Sequence, residues 1–464
     1  MTEHTQINIK YISMVSMVSA LGGLLFGYDW VVIGGAKPFY EAFFQIADNP
    51  SLQGWAMSSA LIGCLLGAAL SGLLSDKYGR KRLLVFSAFL FTLSAAGTGA
   101  TSHYTLFIIY RIIGGIGIGL ASNLSPMYIA EIAPSHLRGR FVSLNQLTIV
   151  IGILLAQLVN WQIAEAVPTG FSTENILSSW NGQNGWRYMF WAEIIPAGLF
   201  LILIFFIPES PRWLAKNSSR TKVEAILKKI GGSGYATSEY QTILDSINNS
   251  DKIVPLSQLK SPKLKPILVL GIVLAIFQQW CGINVIFNYA EDIFKAAGFG
   301  VSDILFNIVI TGIINLVFTF IAIYTVDKLG RRKLLLLGSL SLCLIYVCIG
   351  AAYYFNISGT ILLVLVLLAI ATYAMSLAPV VWVVISEIFP NRIRGVAMAV
   401  ATLSLWGACF ALTYTFPLLN AALGASGTFW LYGGVCFFGW LFIYRKLPET
   451  KEKSLEEIEQ EIIK

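Results

Sequence analysis

Long apolar runs, separated by short polar breaks, recur along almost the whole chain. A helix rises 1.5 Å per residue, so about 20 apolar residues cross the hydrocarbon of a bilayer. The pattern predicts twelve spans, over residues 10–35, 54–75, 82–101, 105–131, 140–162, 187–207, 265–290, 303–326, 333–354, 359–388, 395–417 and 427–446. One longer break, 209–264, is polar and Lys-rich and divides them six and six. It holds a helix-like piece near Thr221–Ile230, and an amphipathic stretch, Ser454-Leu455-Glu456-Glu457-Ile458, follows the last span. Both are expected as solvated linker and cap. The predicted architecture is all-α and membrane-integral: an N-terminal six-helix bundle over 1–208, a cytoplasmic linker with short helices over 209–264, a C-terminal bundle over 265–446 and a tail over 447–464.

Composition agrees. Of the 464 residues 56% are hydrophobic and only 12% charged, against about 25% charged in soluble domains. The net charge of +7 does not point to nucleic acid, because of where the charges lie. Of the 32 Lys and Arg, all except Lys37, Arg111, Arg187 and Lys295 fall in segments that alternation of spans puts on one side. Lys77, Arg80, Lys81 and Arg82 follow the second span, Arg138 and Arg140 the fourth, Lys328, Arg331, Arg332 and Lys333 the eighth, and Arg392 and Arg394 the tenth. By the positive-inside rule that side, with both termini, is cytoplasmic. Lys37 and Lys295 stand out in otherwise nearly bare outer loops. The first apolar run is too long for a signal-peptide core and is expected to remain as a span. The six cysteines all sit in apolar segments without metal-ligand spacing, which reads as packing. No nucleophile–base set, metal cluster or phosphate loop appears, so neither an enzyme nor a cofactor is expected.

The two halves repeat. Asp76-Lys77-Tyr78-Gly79-Arg80-Lys81-Arg82 recurs as Asp327-Lys328-Leu329-Gly330-Arg331-Arg332-Lys333. Glu131-Ile132-Ala133-Pro134 with Arg138-Gly139 recurs as Glu387-Ile388-Phe389-Pro390 with Arg394-Gly395, and Pro208-Glu209-Ser210 as Pro448-Glu449-Thr450. A duplicated six-helix unit predicts a central cavity near the membrane midplane and rocking between the halves, which fits a carrier better than a channel.

Ionisable residues well inside the spans are Asp29, Arg111 and Glu193. A charge at mid-membrane costs about 2.5–3.5 kcal/mol on insertion scales, so each needs a partner or a use. His4, His103 and His136 sit at or beyond span ends, so a carried proton would ride on a carboxylate. Desolvation raises a carboxyl's proton affinity and a neighbouring Arg lowers it, so a site whose distance to Arg111 changes could load and release a proton. A static ion pair fixing helix packing is equally compatible with the residues alone.

The seventh span carries Phe277-Gln278-Gln279-Trp280-Cys281-Gly282-Ile283-Asn284. Amides donate and accept, as a neutral polyhydroxylated ligand requires. Adjacent glutamines point about 100° apart on a helix. Gly282 permits local unwinding that could turn Gln278, Gln279 and Asn284 towards one ligand. Interhelical hydrogen bonding is the plainer alternative.

The loop motifs, with Pro208-Glu209-Ser210-Pro211-Arg212-Trp213-Leu214 and Pro448-Glu449-Thr450-Lys451, resemble the sugar porter branch of the major facilitator superfamily over nearly the whole chain. Arg111-Ile112-Ile113-Gly114-Gly115, Ser125-Pro126-Met127-Tyr128-Ile129-Ala130-Glu131 and Trp186-Arg187-Tyr188-Met189-Phe190 with Glu193 resemble its bacterial proton-coupled members. The resemblance implies proton-driven monosaccharide import across a bacterial-type cytoplasmic membrane. D-xylose comes first, and glucose, galactose or arabinose follow. It makes Asp29 the proton carrier, with Arg111 as its partner and Glu193 modulating or neutralising Arg111. It adds Phe26, Gln146, Asn315, Trp382 and Trp406 to Gln278, Gln279 and Asn284 as sugar contacts. It also makes Asp76, Arg80, Glu131, Arg138, Glu209 and Arg212, with Asp327, Arg331, Glu387, Arg394 and Glu449, a cytoplasmic gating network. Exposed pairs are individually worth about 0–1 kcal/mol, so only a network could bias the equilibrium. Three positions depart from the family pattern: Asn288 replaces a lid aromatic, Ile153 replaces a second Gln, and Trp30 is unusually bulky. One proton crossing 100 mV supplies ~2.3 kcal/mol, enough for a roughly 50-fold gradient of neutral solute. A passive facilitator, a transporter-like sugar receptor and a drug exporter are the rivals. Asp29, the short tail and the amides respectively argue against them. A monomer is expected.

Overall fold

The structure, a computed structural model, describes residues 7–167, 172–248, 264–296, 298–357, 359–389 and 394–451. The described residues are helical throughout their ordered elements. The first five spans are single helices: α1 (Ile9–Phe43), α2 (Pro50–Tyr78), α3 (Arg80–Ala100), α4 (Tyr104–Ile132) and α5 (Arg138–Ile163). A short helix, α6 (Thr173–Ser178), precedes the sixth span. That span runs through a π turn at Asn181–Gly185, α7 (Trp186–Trp191), α8 (Ile194–Leu203) and a 3-10 turn at Ile204–Phe206. The polar break forms α9 (Pro211–Asn217) and α10 (Arg220–Asn248), the latter bent at Gly231 and Gly232. It is therefore more helical than the single piece expected near Thr221–Ile230. Its return to the N-terminus is fixed where Asn8 N–H donates to the Ile230 carbonyl, 2.7 Å.

The C-terminal half is more broken. Its seventh span is α11 (Lys265–Trp280) and α12 (Ile283–Asn288), followed by α13 (Ala290–Ala296). α14 (Val301–Leu329) and α15 (Arg331–Tyr354) are continuous, and the tenth span is split at Ser376 into α16 (Thr360–Met375) and α17 (Leu377–Ile388). α18 (Arg394–Lys446) has 53 residues, roughly 80 Å at 1.5 Å each and more than twice the bilayer hydrocarbon. It leaves helical geometry at Gly424 (φ 67°, ψ 174°), so it carries the last two predicted spans. Among the described residues eleven segments are long and apolar enough to cross a membrane, this composite counted once. Ser454–Ile458, predicted as a cap, lies outside the described residues.

Large apolar side chains such as Leu73, Ile195, Phe206 and Phe438 face outward, as lipid-facing surfaces require. With hydrocarbon on the outside, the apolar effect does not drive helix association, and close backbone approach takes its place. Gly63 and Gly67 of α2 face Gly115 and Gly119 of α4, where a Cβ on Gly115 would lie 1.8 Å from the Ala60 carbonyl oxygen. That seam holds α4, and with it Arg111, at the centre of the N-terminal half. The two chain halves meet along α2 with α18, α5 with α14, and α1 with α12 and α13.

Candidate functional site

The three intramembrane charges converge. Asp29 of α1, Arg111 of α4 and Glu193, at the joint between α7 and α8, are 1%, 2% and 2% exposed. Arg111 Nη1 donates to Asp29 Oδ1 in a short contact, and Nη2 lies 3.3 Å from the Asp29 carbonyl oxygen. The guanidinium also sits 5.7 Å from the Phe190 ring centroid. Glu193 is within electrostatic reach of both partners. Asp29 Oδ2, Arg111 Nε and Glu193 Oε1 are buried without a hydrogen-bond partner in the described structure. Such polar atoms are costly unless water or a moving proton serves them. A cavity of about 10 Å³, room for roughly one water, touches Arg111, Trp30, Cys64 and Asn288.

The amides form a second group, in the other half. α11 ends at Trp280 and Gly282 takes a left-handed conformation (φ 89°) before α12 begins. This break lets residues five apart meet: Asn284 Nδ2 donates to Gln279 Oε1 in a short contact, and Gln279 Nε2 to Gln278 Oε1 at 3.4 Å. Gln278 Nε2 is held by the carbonyls of Leu377 and Ala378, 3.3 and 3.1 Å away, beside the Ser376 break. Phe26 and Trp30 of α1 meet Trp406 of α18 with ring centroids 5.8 and 5.9 Å apart, so aromatic rings join the halves beside the charged pair. Gln146 lies half-buried on α5, Asn315 buried on α14 and Trp382 half-buried on α17. No hydrogen bond links those three to the amide group among the described residues.

The charges of the basic loop motifs form two copies of one arrangement. In the N-terminal half Arg80 pairs with Asp76 (3.1 Å) and Glu131 (3.0 Å), and Ser210 Oγ donates to Glu131 Oε2. Glu209 Oε1 accepts the backbone N–H of Arg80 and Lys81, both 3.0 Å, capping α3. In the C-terminal half Arg331 pairs with Glu387 (3.1 Å), Thr450 Oγ1 donates to Glu387 Oε2 (2.6 Å), and Glu449 accepts from the N–H groups of Arg331 and Arg332. Arg138 differs from expectation: its Nε donates to the Ala130 carbonyl, 2.9 Å, rather than to a carboxylate. The side chains of Asp327 and Arg394 lie outside the described residues, and Arg212 is engaged.

Two features escaped the sequence reading. Lys37, expected in an outer loop, is inside α1 and 2% exposed. Gln157, 2% exposed, lies one turn beyond Ile153 on the same face of α5. Its Nε2 reaches Thr311 Oγ1 of α14 at 3.4 Å and its Oε1 is unpartnered. An amide inside an apolar run was the available signal.

Residues 15–462 match the family model described as "Sugar (and other) transporter". The chain is 41% identical to the D-xylose-proton symporter of Escherichia coli (strain K12), covering 98% of this chain and 96% of that protein. It is 38% identical to the arabinose-proton symporter of Bacillus subtilis (strain 168), with coverage of 98% and 96%. It is similar to the inward-open conformation of the xylose transporter XylE from E. coli, with a TM-score of 0.85 at 40% identity and coverage of 97% and 99%.

Proposed function

The chain belongs to the sugar transporter family, and from that premise we propose that it imports a neutral monosaccharide together with a proton. D-xylose is the first candidate, and arabinose, glucose and galactose follow. In this reading twelve spans form two six-helix bundles, over 1–208 and 265–446. A cytoplasmic linker over 209–264 joins them, a tail covers 447–464, and both termini are cytoplasmic. Alternating access comes from rocking of one bundle against the other.

The observation that carries proton coupling is the Asp29–Arg111 pair, buried in the membrane with orphaned atoms on both partners. A purely structural pair would be expected to satisfy those atoms. When Asp29 is ionised the pair closes. When Asp29 is protonated Arg111 is released, and Glu193 is placed to receive it. The sugar site is Gln278, Gln279 and Asn284, with Phe26, Gln146, Asn315, Trp382 and Trp406, to which Gln157 is added. The aromatic contact between Phe26 and Trp406 supports coupling, because it bridges the proton-bearing and amide-bearing halves. Asp76, Arg80, Glu131, Arg138, Glu209 and Arg212, with Asp327, Arg331, Glu387, Arg394 and Glu449, brace the cytoplasmic edge within each half. Uptake of a sugar panel into proteoliposomes, with and without an imposed proton gradient, tests the proposal. Gradient-dependent accumulation of one or more pentoses or hexoses is expected. Sugar flux indifferent to the gradient would make the protein a passive carrier.

A further inference from the structure

The halves also meet at the outer face. Lys37 Nζ lies 3.0 Å from Glu291 Oε2 and 2.9 Å from Asp292 Oδ1, both on α13, and 3.2 Å from Glu41 Oε2 one turn along α1. Further in, a Cβ on Gly34 would lie 3.1 and 3.2 Å from the carbonyl oxygens of Phe287 and Asn288, so α12 rests directly on α1. Val167 N–H also donates to Ser302 Oγ, 3.0 Å, and Ser51 Oγ meets Tyr414 Oη at 3.1 Å, each across the halves.

A lysine near the membrane edge ordinarily extends its stem to reach water. This one is buried between two helices from different halves, an arrangement stable only while its carboxylates stay with it. Parting of α1 from α12 and α13 would return all four groups to water. The cluster thus has two acceptable states, paired and dry or separated and wet. Three carboxylates surround this ammonium, Lys295 standing exposed 3.9 Å from Glu291, and Glu41 Oε1 has no partner.

We propose that Lys37 is a positioning residue of the transport cycle: it clamps the segment α12–α13 onto α1 and sets how readily the outer entrance opens to sugar. This rests on the alternating-access reading above. The test is labelling of Asn288→Cys by a membrane-impermeant thiol reagent applied to the outer face of right-side-out vesicles, with the parent lacking that cysteine as blank. Adding Lys37→Met is expected to raise the labelling rate about tenfold or more and to lower the outside KM for sugar while slowing maximal uptake. A tenfold shift is 1.4 kcal/mol, less than breaking a buried pair typically costs. Lys37→Arg is expected to label like the parent, and exchanging the charges, Lys37→Glu with Glu291→Lys, to restore slow labelling. Unchanged labelling in a Lys37→Met protein that still binds sugar overturns the clamp. Should that variant fail to fold, Glu291→Gln, whose lysine can reach water on opening, is read by the same rate and the same criterion. Failure of the parent to transport any sugar would defeat the alternating-access reading instead, and labelling separates the two failures.

Discussion

At the basic loop motifs the two halves use the same atoms for the same task. Glu209 caps α3 as Glu449 caps α15, Arg80 holds Glu131 as Arg331 holds Glu387, and Ser210 and Thr450 each complete the carboxylate. Lys81 donates to the Phe205 carbonyl as Arg332 donates to that of Tyr444. Inside the membrane the symmetry ends. The N-terminal half buries Asp29, Arg111 and Glu193, whereas the C-terminal half buries Gln278, Gln279 and Asn284 on a broken helix. Duplication supplied a frame that repeats, and chemistry was divided across it. On the proposed reading the charges of the N-terminal half handle the proton, and the amides of the broken helix, joined by Gln146 and Gln157 of α5, handle the hydroxyls.

Removing Arg111 should break the comparison most severely. Arg111→Leu leaves the Asp29 carboxylate buried and unpaired, at a cost of about 3–5 kcal/mol. We expect loss of gradient-driven uptake together with a clear fall in melting temperature, both measured on purified protein. Gln279→Ala should instead spare stability and proton handling. By removing one amide from the chain running from Asn284 to Gln278 it should weaken sugar binding about 10- to 100-fold, equivalent to 1–3 kcal/mol. Calorimetric titration checks this, and unaltered binding would take the broken helix out of the site.

Symmetry at the basic loop motifs yields a smaller, paired effect. Glu209→Gln and Glu449→Gln each weaken charge-assisted caps on a helix N-terminus, worth about 1 kcal/mol. The two variants should lose similar amounts of thermal stability, and a large difference between them would deny that the two arrangements are equivalent.

The smallest expected effect is on the outer clamp. Burial pushes the Asp292 carboxyl up from 3.8 to about 6, against the pull of Lys37. Burial also pushes Glu291 up, but Lys37 and Lys295 outweigh it and leave that group below its ordinary value. Burial pushes Glu41 up to about 8, again against the pull of Lys37, and Tyr40, Tyr289 and Tyr353 complete the titratable surroundings. A carboxyl raised in the closed form binds its proton more tightly there than when solvated. Closure therefore strengthens as outer pH falls through about 8, where Glu41 takes its proton, and further as it falls through about 6 towards 3.8, where Asp292 does. The opposing loss from Glu291 begins only below its ordinary 4.5. Outer labelling of Asn288→Cys should be slower at the acidic end of this range, and Asp292→Asn should flatten the part of the profile below about 6 while leaving the part near 8.

How much could be read from the chain follows from what each environment demands. Hydrocarbon tolerates few charges, so Asp29, Arg111 and Glu193 stand out in any apolar run, and the structure brings them together. Amides five residues apart with Gly282 between them likewise announced a break, and α11 and α12 separate there. Lys37 was misplaced because the apolar run thins after Ala36. Helix α1 continues through Pro38 to Phe43, and only a partner from the other half, distant in sequence, makes burial of that lysine tolerable. Gln157 was hidden for a related reason: its neighbours on α5 are apolar, and its value comes from Thr311 across the interface. Arg138 shows the limit of repeat logic, since a motif copies residue type without fixing which oxygen the side chain reaches.

The division of chemistry between the halves is tested most directly by Asp29→Asn in proteoliposomes, assayed for gradient-driven accumulation and for sugar exchange at equal pH. The amide neither charges nor carries a proton but keeps the shape of the carboxylate, and it leaves the C-terminal amides untouched. Accumulation should vanish while exchange continues. Accumulation that persists undiminished would contradict the account, because the proton would then be travelling by some other group.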